Sequence, residues 1–164
     1  MKTLAEALLL LGSNIGDRKF NFDSAKSEIE NQAGTIIQTS RLYETAAWGN
    51  ENQPAFLNQA ISISTSLSAE ELLQTLLDIE KKLGRIRSTE WMPRIIDIDI
   101  LMIGNLMLHS ADLEIPHPRM HLRRFTLTPL QEIAADEIHP VLNKTISQLL
   151  NECNDPLDVK LFVE

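Results

Sequence analysis

Two aspartates separated by one isoleucine, Asp97 and Asp99, stand in the run Ile95-Ile96-Asp97-Ile98-Asp99-Ile100, and arginines crowd around them. Arg85, Arg87 and Arg94 precede the run and Arg119, Arg123 and Arg124 follow it, so six of the chain's eight arginines fall between positions 85 and 124. In a strand, the period of two sends the isoleucines to the core and both carboxylates to the other face, about 6.6 Å apart. Carboxylates so placed can ligate magnesium, and two ions ~3.5–4 Å apart can be clamped by such a pair. Guanidinium forks match phosphate oxygens. The combination points to a polyphosphate handled with divalent metal. The alternative is a half-exposed strand with an acidic outer face, which like-charge repulsion disfavours unless a metal or an arginine answers it.

Three further groups can do chemistry. Arg85, Arg87, Trp91, Pro93 and Arg94 sit between a helix-ending glycine and the acidic strand, where a loop can close over phosphates and exclude water. A solvated basic loop, with Trp91 as a core plug, is the other reading. Thr45-Ala46-Ala47-Trp48-Gly49 and Phe56-Leu57-Asn58 combine flat aromatic surface with an amide that both donates and accepts, a set suited to a planar heterocycle. Phe56 is also an ordinary core residue, and Asn58 an ordinary turn cap. Pro116-His117-Pro118-Arg119 fixes an imidazole between two prolines, for a nucleotide contact, a carboxylate partner or a structural turn. Gly12-Ser13-Asn14-Ile15-Gly16-Asp17 lacks the GxxxxGK[ST] lysine and the GxGxxG spacing, and its expected role is structural.

These residues must be carried by a chain of 164 residues with formal net charge -8 and 43% hydrophobic content. That length most simply makes one domain over 1–164 with a substantial core. The acidic balance argues against nucleic-acid and membrane surfaces. A single Cys153 permits no intramolecular disulfide and suggests a reducing compartment. The run Ala7 to Leu11 is too short for a membrane span, so the expectation is a soluble, cytoplasmic monomer.

The expected elements are a buried strand over 6–12, a helix capped by Asp17 and stopped at Gly34, and strands over 35–44 and 57–67 joined by the loop 45–54. Ser68-Ala69-Glu70-Glu71 opens a helix that Gly84 ends. A strand over 95–103, helices over 125–135 and 145–153 and a short strand within 158–163 complete the order. Strand, helix, strand, strand, helix, strand is the pattern of a ferredoxin-like α+β core, an antiparallel sheet in three α/β/α layers.

Over residues 7–140 the chain resembles the 6-hydroxymethyl-7,8-dihydropterin pyrophosphokinase family. The resemblance is carried by Leu11-Gly12-Ser13-Asn14, Tyr43-Glu44-Thr45, Gln53 with Phe56-Leu57-Asn58, Leu83-Gly84-Arg85 with Arg87, Trp91-Met92-Pro93-Arg94, Asp97-Ile98-Asp99-Ile100, Ile115-Pro116-His117-Pro118, Arg123 with Phe125, and Pro129-Leu130 with Glu132-Ile133-Ala134. It implies diphosphate transfer from ATP to the pterin alcohol, in folate synthesis, with two magnesium ions on Asp97 and Asp99. It implies that Arg87, Arg94, His117 and Arg123 meet ATP, with Glu80 and Ile100 beside the nucleotide. Arg87 and Arg94 join the two aspartates as the catalytic set. It implies a reduced pterin held by Thr45, Ala46, Trp48, Phe56, Asn58, Trp91 and Phe125. Ala47, where the family usually has proline, and Glu90, where many members have arginine, depart from the pattern, as do Leu77 and Asp112 on the nucleotide side.

Two rivals differ in class. A nucleotidyltransferase also joins Gly-Ser to Asp-x-Asp, but within a short helix rather than across some eighty residues. A noncatalytic ligand-binding module on the same fold has no need of two aligned carboxylates.

Overall fold

The computed structural model describes residues 3–46, 54–84 and 95–163. Its centre is β1 (Ala5–Ser13), whose last seven residues are all buried. A strand covered on both faces reads as an unbroken apolar run, and the alternation still divides it. Ala7, Leu9 and Leu11 join one apolar cluster with Phe22, Ala25 and Ile29 of α1 (Arg18–Gln32) and Leu72, Leu76 and Ile79 of α2 (Ala69–Lys82). Leu8 and Leu10 point the other way, into a second cluster with Leu127 and Leu130 of α3 (Arg124–Ala134) and Ile146 and Leu149 of α4 (Ile146–Glu152).

The helix boundaries follow their capping chemistry. Asp17 accepts from the Phe20 N–H to start α1, and Ser68 with Glu71 forms a reciprocal capping box on α2. Gly84 follows α2 at φ +99°, a left-handed position that glycine adopts without strain. Thr145 and Gln148 make a second capping box on α4.

Expectation and structure differ in the middle of the chain. The single strand expected over 35–44 is two, β2 (Thr35–Thr39) and β3 (Tyr43–Thr45), both antiparallel to β4 (Phe56–Thr65). Ser40 makes the break. Its N–H donates to the Ala60 carbonyl at 2.8 Å, its hydroxyl accepts from the Ala60 N–H at 3.0 Å, and its own carbonyl is taken by the Gln59 side chain at 2.6 Å. A hydroxyl that substitutes for a ladder partner competes with continuous pairing. Thr45 is therefore the end of a strand, not the start of the loop.

β5 (Asp97–Ile103) lies at the sheet edge against β1, and β8 (Lys160–Leu161) at the other edge against β3, giving the order β5-β1-β4-β3-β8 with β2 also on β4. β5 is two residues shorter at its start than expected. A register shift opposite Leu8 and Leu9 leaves Leu101 unpaired, so Leu101 and Met102 both enter the second cluster. The small hairpin of β6 (Leu108–His109) and β7 (Glu114–Ile115) has no signature in the sequence, since two-residue strands are too short to show periodicity. The architecture is a mixture of helices with an antiparallel sheet.

Candidate functional site

Ile96, Ile98 and Ile100 are buried in the first cluster, as alternation requires. Asp97 and Asp99 are half-buried and pair in register with Gly12 and Leu10 of β1. Cross-strand partners share a face, so both carboxylates lie on the face of Leu10, opposite the isoleucines. Between them, the Ile98 N–H donates to Oε2 of Glu80 at 2.7 Å. Glu80 is 1% exposed. An edge strand offers outward N–H groups that need partners when buried, and α2 supplies one from the side away from β1.

On the other flank of β1, Gly12 pairs with Asn58. A Cβ on Gly12 would stand 3.0 Å from Asn58 Oδ1 and 3.8 Å from a Phe56 ring carbon. Glycine inside a strand marks close approach of another group, and here it leaves room beside the amide. Asn58 is buried and donates through Nδ2 to Thr45 Oγ1 at 3.3 Å. Phe56 is half-buried and pairs with Thr45. Asn58 is thus the third residue of β4 rather than a turn cap.

The third part comes from the segment after β7. The His117 N–H donates to the carbonyl of the bulged Leu101 at 2.8 Å, which ties this segment to β5. His117 Nδ1 accepts from the Arg119 N–H at 3.1 Å, so the ring proton sits on Nε2. Burial, then Arg123 and Arg119, push the imidazole down to about 4 against the pull of Asp97 and Glu114. His117 is therefore neutral at pH 7 and a hydrogen-bond donor at Nε2. Arg123 lies 5.6 Å from the Phe125 ring, in cation–π geometry. Phe125 itself packs on the second cluster.

Among the described residues, then, Thr45, Phe56, Asn58, Asp97 and Asp99 share one face of the sheet, with His117, Arg123 and Phe125 brought in by the following segment. Ala46 is exposed at the end of β3, and Ile100 is core. Trp48, Arg85, Arg87, Trp91 and Arg94, together with Ala47 and Glu90, lie outside the described residues, as does the expected closing segment 85–94. In the sequence Gly12 reads as structural, although an isolated glycine in an apolar strand is itself a signal of close approach. One clamp has no sequence signature: Arg41 N–H and Nε donate to Glu132 at 3.0 and 2.8 Å, and the Tyr43 hydroxyl donates to the same carboxylate. Its partners are some ninety residues apart, beyond any spacing rule. Two surface depressions of about 580 and 540 Å³ lie elsewhere, beside Arg18 and beside Gln131.

No group of three or more metal-type side chains occurs among the described residues. The donor set fits magnesium all the same, since that ion keeps several waters and takes one or two carboxylates together with substrate phosphates. An all-oxygen pair with no histidine or cysteine does not suit zinc.

The site sits on an α+β scaffold of known type. The chain superimposes on the Plasmodium falciparum HPPK-DHPS structure in complex with pterin and p-hydroxybenzoate with TM-score 0.77 at 19% identity, covering 93% of this chain and 44% of that one. It spans less than half the length of that solved protein, and the likeness concerns the fold. The sequence model of the 7,8-dihydro-6-hydroxymethylpterin-pyrophosphokinase (HPPK) family matches residues 8–135. The chain belongs to this family, as its motifs indicated. Its relatives include the 2-amino-4-hydroxy-6-hydroxymethyldihydropteridine pyrophosphokinases of Synechocystis sp., 44% identical over 89% of this chain and 75% of that protein, and of Bacillus subtilis, 44% identical over 77% of each. The Aquifex aeolicus protein of the same name is 39% identical over 91% of this chain and 92% of its own length.

Proposed function

We propose that this chain transfers the diphosphate of ATP to the hydroxymethyl oxygen of 6-hydroxymethyl-7,8-dihydropterin, releasing AMP, as a step in folate synthesis. One observation carries the reading: Asn58, Gly12 and Asp97 form a single row across β4, β1 and β5. Two strand spacings put the edge-reading amide roughly 10 Å from the carboxylate, a separation suited to a pterin whose alcohol reaches toward a bound triphosphate.

Asp97 and Asp99 hold magnesium, which when bound neutralises phosphate charge. Arg87, Arg94 and Arg123 hold phosphate oxygens, and His117 donates through Nε2. Glu80 fixes the outer edge of β5, and the strand alternation turns the Ile100 N–H toward that same edge, so the Ile100 contact with the nucleotide is a backbone one. Asn58 reads the heterocycle's edge beside Thr45 and Ala46, and Trp48, Phe56, Trp91 and Phe125 supply flat surface. The alcohol oxygen bonds to the β-phosphorus, the bond from that phosphorus to the oxygen of AMP breaks, and the alcohol proton leaves to Asp97 or to water. Alignment and charge neutralisation suffice for such a transfer.

The fold reading that goes with this is a ferredoxin-like core in three α/β/α layers, one domain over 1–164. It is supported by the strand order β5-β1-β4-β3 and by apolar clusters on both sheet faces. The reading also takes the protein as a cytoplasmic monomer. No described helix is long and apolar enough to cross a membrane.

Chromatography of nucleotides after a pterin-dependent turnover tests the reading. AMP in amounts equal to the pterin diphosphate is expected. ADP would mean ordinary phosphoryl transfer, free pyrophosphate with an adenylylated acceptor would mean nucleotidyl transfer, and either result overturns the assignment.

A further inference from the structure

The C-terminal tail lies outside the family match, which ends at residue 135, yet it touches both walls of the proposed pterin site. The first wall is the start of α3. Arg123 stands at the N-cap of α3 and makes no side-chain cap hydrogen bond, so the first-turn donors need another acceptor. Asp155 provides it: Oδ2 accepts from the Arg124 N–H at 3.1 Å while Oδ1 accepts from the Leu157 N–H at 3.0 Å. The Arg124 side chain returns the contact, donating from Nε to the Asp155 carbonyl at 3.2 Å and from Nη2 to the Cys153 carbonyl at 2.9 Å. A carboxylate at a helix N-terminus also meets the positive end of the helix dipole. The residues flanking Arg124 are Arg123 and Phe125.

The second wall is β3. It has only three residues and three pairs with β4, and its first residue, Tyr43, is also held to Glu132 of α3. The tail adds two pairs on its outer edge, Tyr43 with Leu161 and Glu44 with Lys160, and the Phe162 N–H donates to the Leu42 carbonyl at 2.9 Å. The Phe162 ring lies under the Arg18 guanidinium at 5.5 Å, and Arg18 holds Glu44 at 2.8 Å and the Ala55 carbonyl at 2.9 Å. Thr45, which anchors Asn58, is the next residue of β3.

We propose that Asp155 is a positioning residue for pterin binding, capping α3 from outside the helix while the tail that carries it braces β3, so that one segment fastens the Phe125 wall to the Thr45 wall. The proposal rests on the pterin-binding reading above.

The test uses the full chain with Asp155→Ala, Asp155→Asn and, separately, removal of residues 160–164. Asparagine keeps an acceptor for the Arg124 N–H. In Asp155→Ala, hydrogen exchange should quicken at 124–130 and the pterin KM should rise about fivefold, with a smaller rise in the ATP KM because Arg123 stands at the same helix start. Asp155→Asn keeps one acceptor oxygen for the Arg124 N–H and loses the one that Leu157 uses, so it should recover part of both. The truncation leaves the cap and removes β8, so exchange should quicken at 43–45 with the same bias against pterin. Unchanged exchange, equal weakening of ATP and pterin, or no recovery in Asp155→Asn overturns the proposal. If the parent makes no AMP, the activity reading fails, and equilibrium pterin binding by the same variants then decides the positioning role. A parent that binds no pterin overturns both.

Discussion

Asn58 and Asp97 lie on either side of a single residue: both pair in register with Gly12, from the two strands that flank β1. Nothing larger than glycine fits there without moving the amide, because a Cβ would come within 3.0 Å of Asn58 Oδ1 while Asn58 is tethered to Thr45. Gly12→Ala should therefore raise the pterin KM by about tenfold, since sub-ångström misplacement of a positioning group is expensive. The ATP KM and the thermal midpoint should change little. Steady-state kinetics with each substrate varied checks this, and an unchanged pterin KM would show that Asn58 does not read the heterocycle.

Glu80 tests whether β5 is held by shape or by charge. Its carboxylate receives the Ile98 N–H between the two aspartates. Glu80→Gln keeps an acceptor and should leave turnover within about tenfold, whereas Glu80→Ala leaves a buried donor unsatisfied and should lower stability by about 1–3 kcal/mol. Turnover in Glu80→Ala should fall with it as Asp97 and Asp99 lose their fixed spacing. If Glu80→Gln loses as much turnover as Glu80→Ala, the negative charge itself is required.

How much of this was legible depended on distance along the chain. The Asp-x-Asp alternation, the Ser68 to Glu71 box and the Gly84 stop are local, and local rules found them. The split at Ser40 was not legible, because it arises when a hydroxyl from one strand meets the Ala60 backbone on another. The same holds for Glu132, gathered by Arg41 and Tyr43, and for Asp155 at the head of α3. Register is also a tertiary property, so Asn58, Gly12 and Asp97 read as three unrelated motifs until the sheet aligned them. The carboxylate face came from periodicity alone, yet the bulge at Leu101, whose carbonyl anchors His117, has no signature in an apolar run.

The two aspartates should separate turnover from stability. Asp97→Ala or Asp99→Ala should reduce AMP formation by about a thousandfold or more, the scale of losing metal-assisted neutralisation of phosphate charge. The thermal midpoint should change little, because both aspartates are half-buried and the isoleucines that alternate with them carry the core contacts of the strand. Magnesium titration followed by calorimetry should lose its nucleotide-dependent heat in both variants. Near-normal turnover in both would remove the aspartates from the metal site.

The response to acid should be written in the histidines, and His139 is the cleanest probe because it lies away from the proposed chemistry. Burial, then the neighbouring His121 with its ring centroid 6.2 Å away, holds the His139 imidazole below its ordinary value. Geometry agrees, since Nδ1 accepts from the Val141 and Leu142 N–H groups at 3.2 and 3.1 Å and cannot be protonated without losing both. The unfolded chain binds this proton more readily than the folded one. Stability therefore falls as pH drops below about 6.5, and the loss grows until the pH passes the lowered folded value. His139→Asn keeps an acceptor for N–H groups two and three residues on but has no proton to gain. Its thermal midpoint should fall less steeply between pH 7 and pH 5 than the parent's, although not vanish in slope, because His117, held at about 4, still contributes in the same direction. Calorimetric midpoints across that range decide the matter: parallel curves for parent and variant would assign the acid sensitivity to groups other than His139.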